Sequence, residues 1–130
     1  MAHYLDASAL TKLVVAEPET AALRGWLDSA ERLPVASGLV RTELLRAVRR
    51  FLPERLALAR AVLDAVTLLR IATPVLDEAG RLDPPGLRSL DAVHLATALD
   101  LGDDLEGLVT YDDRLADAAG QYGIRVVAPA

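Results

Sequence analysis

Two hydrophobic periods alternate along this chain. Short apolar runs closed by acidic or turn-forming residues read as strands: HYL (3–5) ending at Asp6, LPVAS (33–37), LRIA (69–72), GLVT (107–110) and IRVVA (124–128). Between them, apolar residues recur at helical spacing. Ser8 is placed to cap a helix through ALTKLVV (9–15), and Pro18 suits the first turn of one over ETAALRGWLDSA (19–30). A longer helix runs from about Gly38 to Leu52. Pro53 then opens ERLALARAVLDAVTLL (54–69), so that the two form a hairpin or a kinked arm. A short helix near VLDEAGRL (75–82) leads into the loop DPPG (83–86). Ser89 can cap the helix of LRSLDAVHLATAL (87–99), and Gly123 closes a last one over DDRLADAAGQY (112–122). This alternation predicts an α/β fold in a single domain, residues 1–130, with a central, mostly parallel sheet and helices on both faces.

One position disturbs the pattern. In LRSLDAVHLATAL, Asp91 shares its helical face with Leu95 and Ala98, and not with the polar Thr97 and Asp100. A carboxylate buried without a partner costs several kcal/mol, so Asp91 needs something to face.

Composition narrows the classes. At 52% hydrophobic content the chain has enough apolar surface for a sizeable core, and it carries no apolar run long enough for a membrane helix. The start MAHYLDASAL lacks the basic opening and long apolar stretch of a signal peptide. The absence of cysteine excludes disulfides, thiol chemistry and thiolate zinc sites, which fits a cytoplasmic protein. With 14 basic and 19 acidic residues the net charge is −5, which argues against a simple basic surface for nucleic acid. Acids gathered around a cation can nevertheless present a positive site.

The acids fall where an α/β sheet binds ligands, beyond the carboxyl ends of its strands. Asp6 ends the first strand, and Asp112 and Asp113 follow the GLVT strand. Asp91 stands in the first turn of its helix. Glu43, in the helix after the second strand, borders the stripe of Val40, Leu44, Ala47 and Val48. Each has an ordinary alternative. Asp91 suits a helix dipole, Glu43 can pair with Arg46 or Arg50, Asp112 or Asp113 can cap a helix, and Asp6 can form a turn. His94 reads as a packed helix residue, and Ser8 and Thr110 as capping or packing hydroxyls.

Together the acids point elsewhere. Converging carboxylates repel and need a cation, and an all-oxygen donor set suits Mg²⁺ or Mn²⁺ better than zinc. Such ions promote hydrolysis of phosphodiesters. Arg41, Arg46, Arg49, Arg50, Arg55 and Arg60 gather in the helical hairpin, with Arg88 beside the site helix. They form either a phosphate-binding surface, with Arg46, Arg49, Arg50 and Arg88 as its candidate contacts, or a solvated face of mixed charge.

YLDASAL, RTELLRA, SLDAVHLATAL and LVTYDDRL, in that order and spanning essentially the whole chain, resemble the four motif regions of PIN-domain ribonucleases, in particular the VapC toxins of bacterial toxin–antitoxin pairs. The resemblance implies Mg²⁺-dependent endoribonuclease activity, with Mn²⁺ as a substitute, and a catalytic quartet of Asp6, Glu43, Asp91 and Asp112. It implies Asp6, Asp91 and Asp112 as metal ligands, with Ser8 and Thr110 in support. Asp112 keeps the family spacing from Thr110, which leaves Asp113 a supporting role. A VapB-like antitoxin, an RNA substrate and a homodimer are implied too. The apolar residues around Leu39, Leu45 and Leu52 are a sequence hint for the dimer.

Phospho-aspartate chemistry fits less well, because Ser8 stands where a phosphatase needs its second acid and no lysine follows Lys12. No phosphate-cradling GxxxxGK[ST] loop occurs. The remaining alternative is a catalytically silent PIN-like module that binds RNA or protein.

Overall fold

The structure, a computed structural model, describes residues 1–130. Five strands form one sheet in the order β3-β2-β1-β4-β5, with every neighbouring pair parallel. The strands are β1 (Ala2–Leu5), β2 (Leu33–Ser37), β3 (Thr67–Leu69), β4 (Leu105–Val109) and β5 (Val126–Val127). The helices are α1 (Ala7–Lys12), α2 (Thr20–Asp28), α3 (Leu39–Phe51), α4 (Leu56–Asp64), α5 (Thr73–Ala79), α6 (Ser89–Asp100) and α7 (Asp113–Gln121). None is long and apolar enough to cross a membrane.

Side chains alternate across each strand, and both faces are covered. Ala2 and Tyr4 of β1, Val35 of β2 and Leu108 of β4 join one core with Val75, Ala79, Leu95 and Leu115 of α5, α6 and α7. Leu5, Ala36 and Val109 face the other way, onto Leu10, Leu23, Val40, Leu44 and Leu63 of α1 to α4. The chain winds outward from β1 through β2 to β3, then returns to add β4 and β5 on the far side. The loops after β1 and β4 therefore diverge, opening a crevice at their carboxyl ends.

Six local expectations change. The third strand is Thr67–Leu69 rather than 69–72, and the helix expected to run through 54–69 stops at Asp64. The residues Thr67 to Leu69 pair with Val35 to Ser37, so tertiary pairing overrides an apolar helical pattern. Ser8 does not cap α1, because Asp6 does, and Ser89 is the first residue of α6 with Arg88 in the cap position. Pro18 lies ahead of α2. Thr97 is not on a solvent face: α6 is buried on nearly every side, and the Thr97 hydroxyl donates to the Val93 carbonyl at 2.7 Å. Gly123 does close α7, at φ +77°, where a side chain would be strained.

Candidate metal centre

Asp6, the residue after β1, is 3% exposed and fully engaged at one oxygen. Its Oδ1 accepts the Ala9 N–H at 3.0 Å, capping α1, and the Ser8 hydroxyl at 2.6 Å. Its Oδ2 accepts the Thr110 hydroxyl at 2.6 Å, across the divide between β1 and β4. Ser8 and Thr110 are themselves held from the β4 side. Ser8 Oγ accepts the Tyr111 N–H at 2.9 Å, and Thr110 Oγ1 accepts the Asp112 N–H at 3.1 Å. The two diverging loops are thus laced together through the Asp6 carboxylate. Burial pushes that carboxyl above the usual aspartate range, against the opposing pull of its three donors.

Asp112 caps α7 with Oδ1, which accepts the Arg114 and Leu115 N–H groups at 2.9 and 3.2 Å. Its Oδ2 is left toward the cleft. Asp91, in the first turn of α6, is also pushed above its usual range, first by desolvation and then by the charge of Asp112, with Arg88 pulling the other way. Glu43, on α3, donates nothing and accepts from His94 of α6: Oε1 lies 2.7 Å from Nε2. This bond links the two helical layers above the sheet edge. Asp112 and Glu43 are thus each anchored through one oxygen, whereas both oxygens of Asp6 are engaged and Asp91 and Asp112 Oδ2 lie beside Arg88. Asp6, Glu43, Asp91 and Asp112 line one cleft of about 340 Å³, together with Ser8, Arg88 and His94.

Two sequence expectations are corrected here. Glu43 pairs with His94 instead of Arg46 or Arg50. Arg55 belongs to no open basic surface, since its guanidinium donates to the Val14 carbonyl at 2.8 Å and ties the hairpin to α1. Leu39, Leu45 and Leu52 are half-buried, with Leu45 packed on the core; the exposed apolar residue at this end of α3 is Phe51, at 66%. Asp113 is exposed at the start of α7 and does not line the cleft. Arg46, Arg49 and Arg50 line a separate, wider depression toward the carboxyl end of α3, with Phe51. Arg88 lies over the acids, its Nε 3.5 Å from Asp91 and its Nη2 3.4 Å from Asp112.

The donor set fits a hard cation. As they lie, no three acidic or imidazole side chains enclose an ion by themselves. Mg²⁺ does not ask for that, since it retains several waters and is held by one or two carboxylates. A guanidinium already spans Asp91 and Asp112, which marks the place as one where positive charge is favoured.

The PIN domain family profile matches residues 3–121. The chain belongs to the PIN-domain family. Among curated PIN-domain relatives, Ribonuclease VapC46 of Mycobacterium tuberculosis is 50% identical over 129 residues, covering 98% of each chain. Ribonuclease VapC47 of the same species is 41% identical over 130 residues, covering 97% of this chain and 96% of the relative. These place the chain in the VapC branch. Two solved structures share the fold at lower identity. VapC20 of M. tuberculosis, a toxin that cleaves the sarcin–ricin loop, superposes with TM-score 0.79 at 18% identity, covering 98% of this chain and all 100% of that one. A DNA-bound VapBC from Salmonella typhimurium gives 0.74 at 19%, covering 98% of each chain.

Sequence reasoning missed two PIN-domain residues at this site. In the sequence His94 reads as core packing, and nothing there marks Tyr4. Tyr4 is fully buried, and its hydroxyl lies 2.7 Å from His94 Nδ1 while accepting the Ser37 N–H at 3.0 Å. The available signal was a histidine one helical turn from Asp91 on an otherwise apolar helix.

Proposed function

We propose that this PIN domain is the toxin of a VapBC-like toxin–antitoxin pair, an Mg²⁺-dependent endoribonuclease acting through Asp6, Glu43, Asp91 and Asp112. The observation that carries the reading is the convergence of these four carboxylates, each separately anchored, on one cleft at the divide of a parallel sheet. Near-full-length identity of 50% to a protein named as a VapC ribonuclease supports the chemistry assigned to it.

Asp6, Asp91 and Asp112 would hold the ion, with Mn²⁺ able to substitute. When bound, it would supply Lewis-acid polarisation of a phosphodiester oxygen and a more acidic water. Glu43 orients the attacking water through its second oxygen and takes its proton. The water oxygen bonds to phosphorus as the P–O3′ bond breaks, and the leaving O3′ takes a proton from solvent water, giving a 5′-phosphate and a 3′-hydroxyl. Ser8 and Thr110 hold Asp6 in place. Arg88, exposed at the mouth, offers a forked donor to the phosphate. A VapB-like antitoxin and a homodimer belong to the same reading.

Mapping of cleavage sites in total RNA with the purified protein tests it. Discrete cuts bearing 5′-phosphates are expected with Mg²⁺ or Mn²⁺ and none in excess chelator. Undiminished cleavage in chelator would refute the metal role, and RNA retention without any cleavage would favour the silent binding module.

The basic depression carries a separate prediction. Replacing Arg46, Arg49 and Arg50 together with glutamine should weaken RNA binding and flatten its logarithmic salt dependence by about 2, at roughly 0.7 per contacted single-strand phosphate. The thermal response to Mn²⁺ should stay unchanged. An unaltered salt slope would return these residues to an ordinary solvated face.

A further inference from the structure

We propose that His94 is a positioning residue for Glu43: a neutral imidazole, locked by Tyr4 as its Nε2–H tautomer, that donates to one carboxylate oxygen and turns the other toward the cleft. The inference rests on Glu43 acting in cleavage, as proposed above.

The donor pattern leads to this tautomer step by step. The Ser37 N–H donates to the Tyr4 oxygen at 3.0 Å, so the Tyr4 hydroxyl proton must point elsewhere. The Ser37 hydroxyl, which accepts the Leu39 N–H at 3.3 Å, also adjoins the Tyr4 oxygen, but the short contact open to the Tyr4 proton is His94 Nδ1 at 2.7 Å. A phenol keeps that proton near neutral pH. Nδ1 therefore accepts, and the single proton of a neutral imidazole sits on Nε2. Nε2 faces Glu43 Oε1 at 2.7 Å, a donor meeting a carboxylate.

The chain from Ser37 to Glu43 crosses three parts of the fold: the end of β2, β1 and α6 each supply one member before α3 is reached. His94 is 1% exposed and bonded at both nitrogens, so its ring has no freedom to turn. Glu43 is the only acid of the four whose anchor lies on another helix; Asp6 and Asp112 cap their own helices. Without His94, the Glu43 side chain on the rim of α3 would swing among rotamers. Fixing a reacting group in this way acts on turnover rather than on substrate binding.

A merely packed histidine predicts something different, and two substitutions separate the readings. The amide nitrogen of glutamine reaches toward the place of Nε2, while that of asparagine reaches only the place of Nδ1. His94→Gln should retain the Glu43 bond and keep kcat within about threefold of wild type. His94→Asn should retain the Tyr4 side and lose Glu43, lowering kcat by about 10–100-fold with KM within about twofold, the scale of loss when an outer partner of a site is removed. The ¹⁵N shifts of the His94 ring, read on the metal-free protein, report the tautomer without any activity measurement. Wild type should show Nε2 protonated and Nδ1 bare, and Tyr4→Phe should mix the two tautomers. A wild-type ring protonated on Nδ1 would overturn the proposal, as would equal loss in both variants or full kcat in a folded His94→Asn. If Glu43→Gln itself cleaves normally, the reading of Glu43 in the quartet falls. An inactive Glu43→Gln beside a fully active His94→Asn removes the positioning role alone. Should a His94 variant fail to fold, the wild-type tautomer still decides.

Discussion

Asp6→Asn is expected to remain folded and to lose RNA cleavage by about 10³-fold or more, equivalent to about 4 kcal/mol of transition-state stabilisation. The substitution removes the charge with little disturbance to the lacing around it. Asparagine keeps a carbonyl oxygen for the Ala9 N–H and the Ser8 hydroxyl, which are the bonds that cap α1. Its amide nitrogen then meets Thr110 Oγ1, which must rotate its proton away. Ser8 Oγ, 3.4 Å from Thr110 Oγ1, stands in position to take it. Loss of the buried charge offsets any weaker hydrogen bonding, because desolvation already disfavours the ionised form. Circular dichroism and a melting curve should therefore match wild type, while single-turnover cleavage of labelled RNA collapses. Activity within tenfold of wild type would remove Asp6 from the chemistry.

Asp91→Asn should separate charge from fold still more sharply. In the metal-free protein near neutral pH, this variant is expected to be as stable as wild type or more stable, by about 0.5–2 kcal/mol, yet inactive. The sign follows from the direction of the carboxyl's shift. Its folded value is raised, by desolvation and the Asp112 charge. The stability it contributes is thus complete below the ordinary aspartate value and is lost as the pH climbs through the raised one. The gap between the two proteins should open across that interval, stay constant above it and close in acid. Arg88 opposes this, but at 3.5 Å, with a side chain 67% exposed, it is screened and adds little. Adding Mn²⁺ at a hundred times its dissociation constant should stabilise wild type by about 2.7 kcal/mol, roughly 10 °C in melting temperature. The variant should respond much less. If Asp91 only served its helix dipole or Arg88, the substitution would destabilise the protein and the metal would act alike on both.

The two variants probe acids that differ in how visibly the sequence marks them. Asp6 follows its apolar strand directly and Asp112 stands three residues past the end of β4, so the rule for parallel sheets puts both at one edge from the sequence alone. Asp91 was marked by being out of place on an apolar face. Glu43 had the weakest local signal, and its partner proved to be an imidazole 51 residues away instead of an arginine one turn along. The ordinary alternatives were also not exclusive. Asp112 caps its helix with one oxygen and faces the cleft with the other, and Asp6 is both an N-cap and a site residue.

What the sequence determined by itself is what short-range physics encodes. Periods of two and of 3.6 residues, turn-forming residues and the order of elements yield the α/β class, both covered faces of the sheet and the strand ends that carry Asp6 and Asp112. Tertiary structure decided the rest. Pairing with β2 drew Thr67 to Leu69 into a strand that the local pattern assigned to a helix. The bonds from Thr110 to Asp6, from His94 to Glu43 and from Tyr4 to His94 join residues 104, 51 and 90 positions apart, a separation to which no local period is sensitive. Hydrogen bonds of this kind depend on the direction of single atoms, and those directions exist only after both cores have closed on the sheet and expelled the water that would otherwise compete for them.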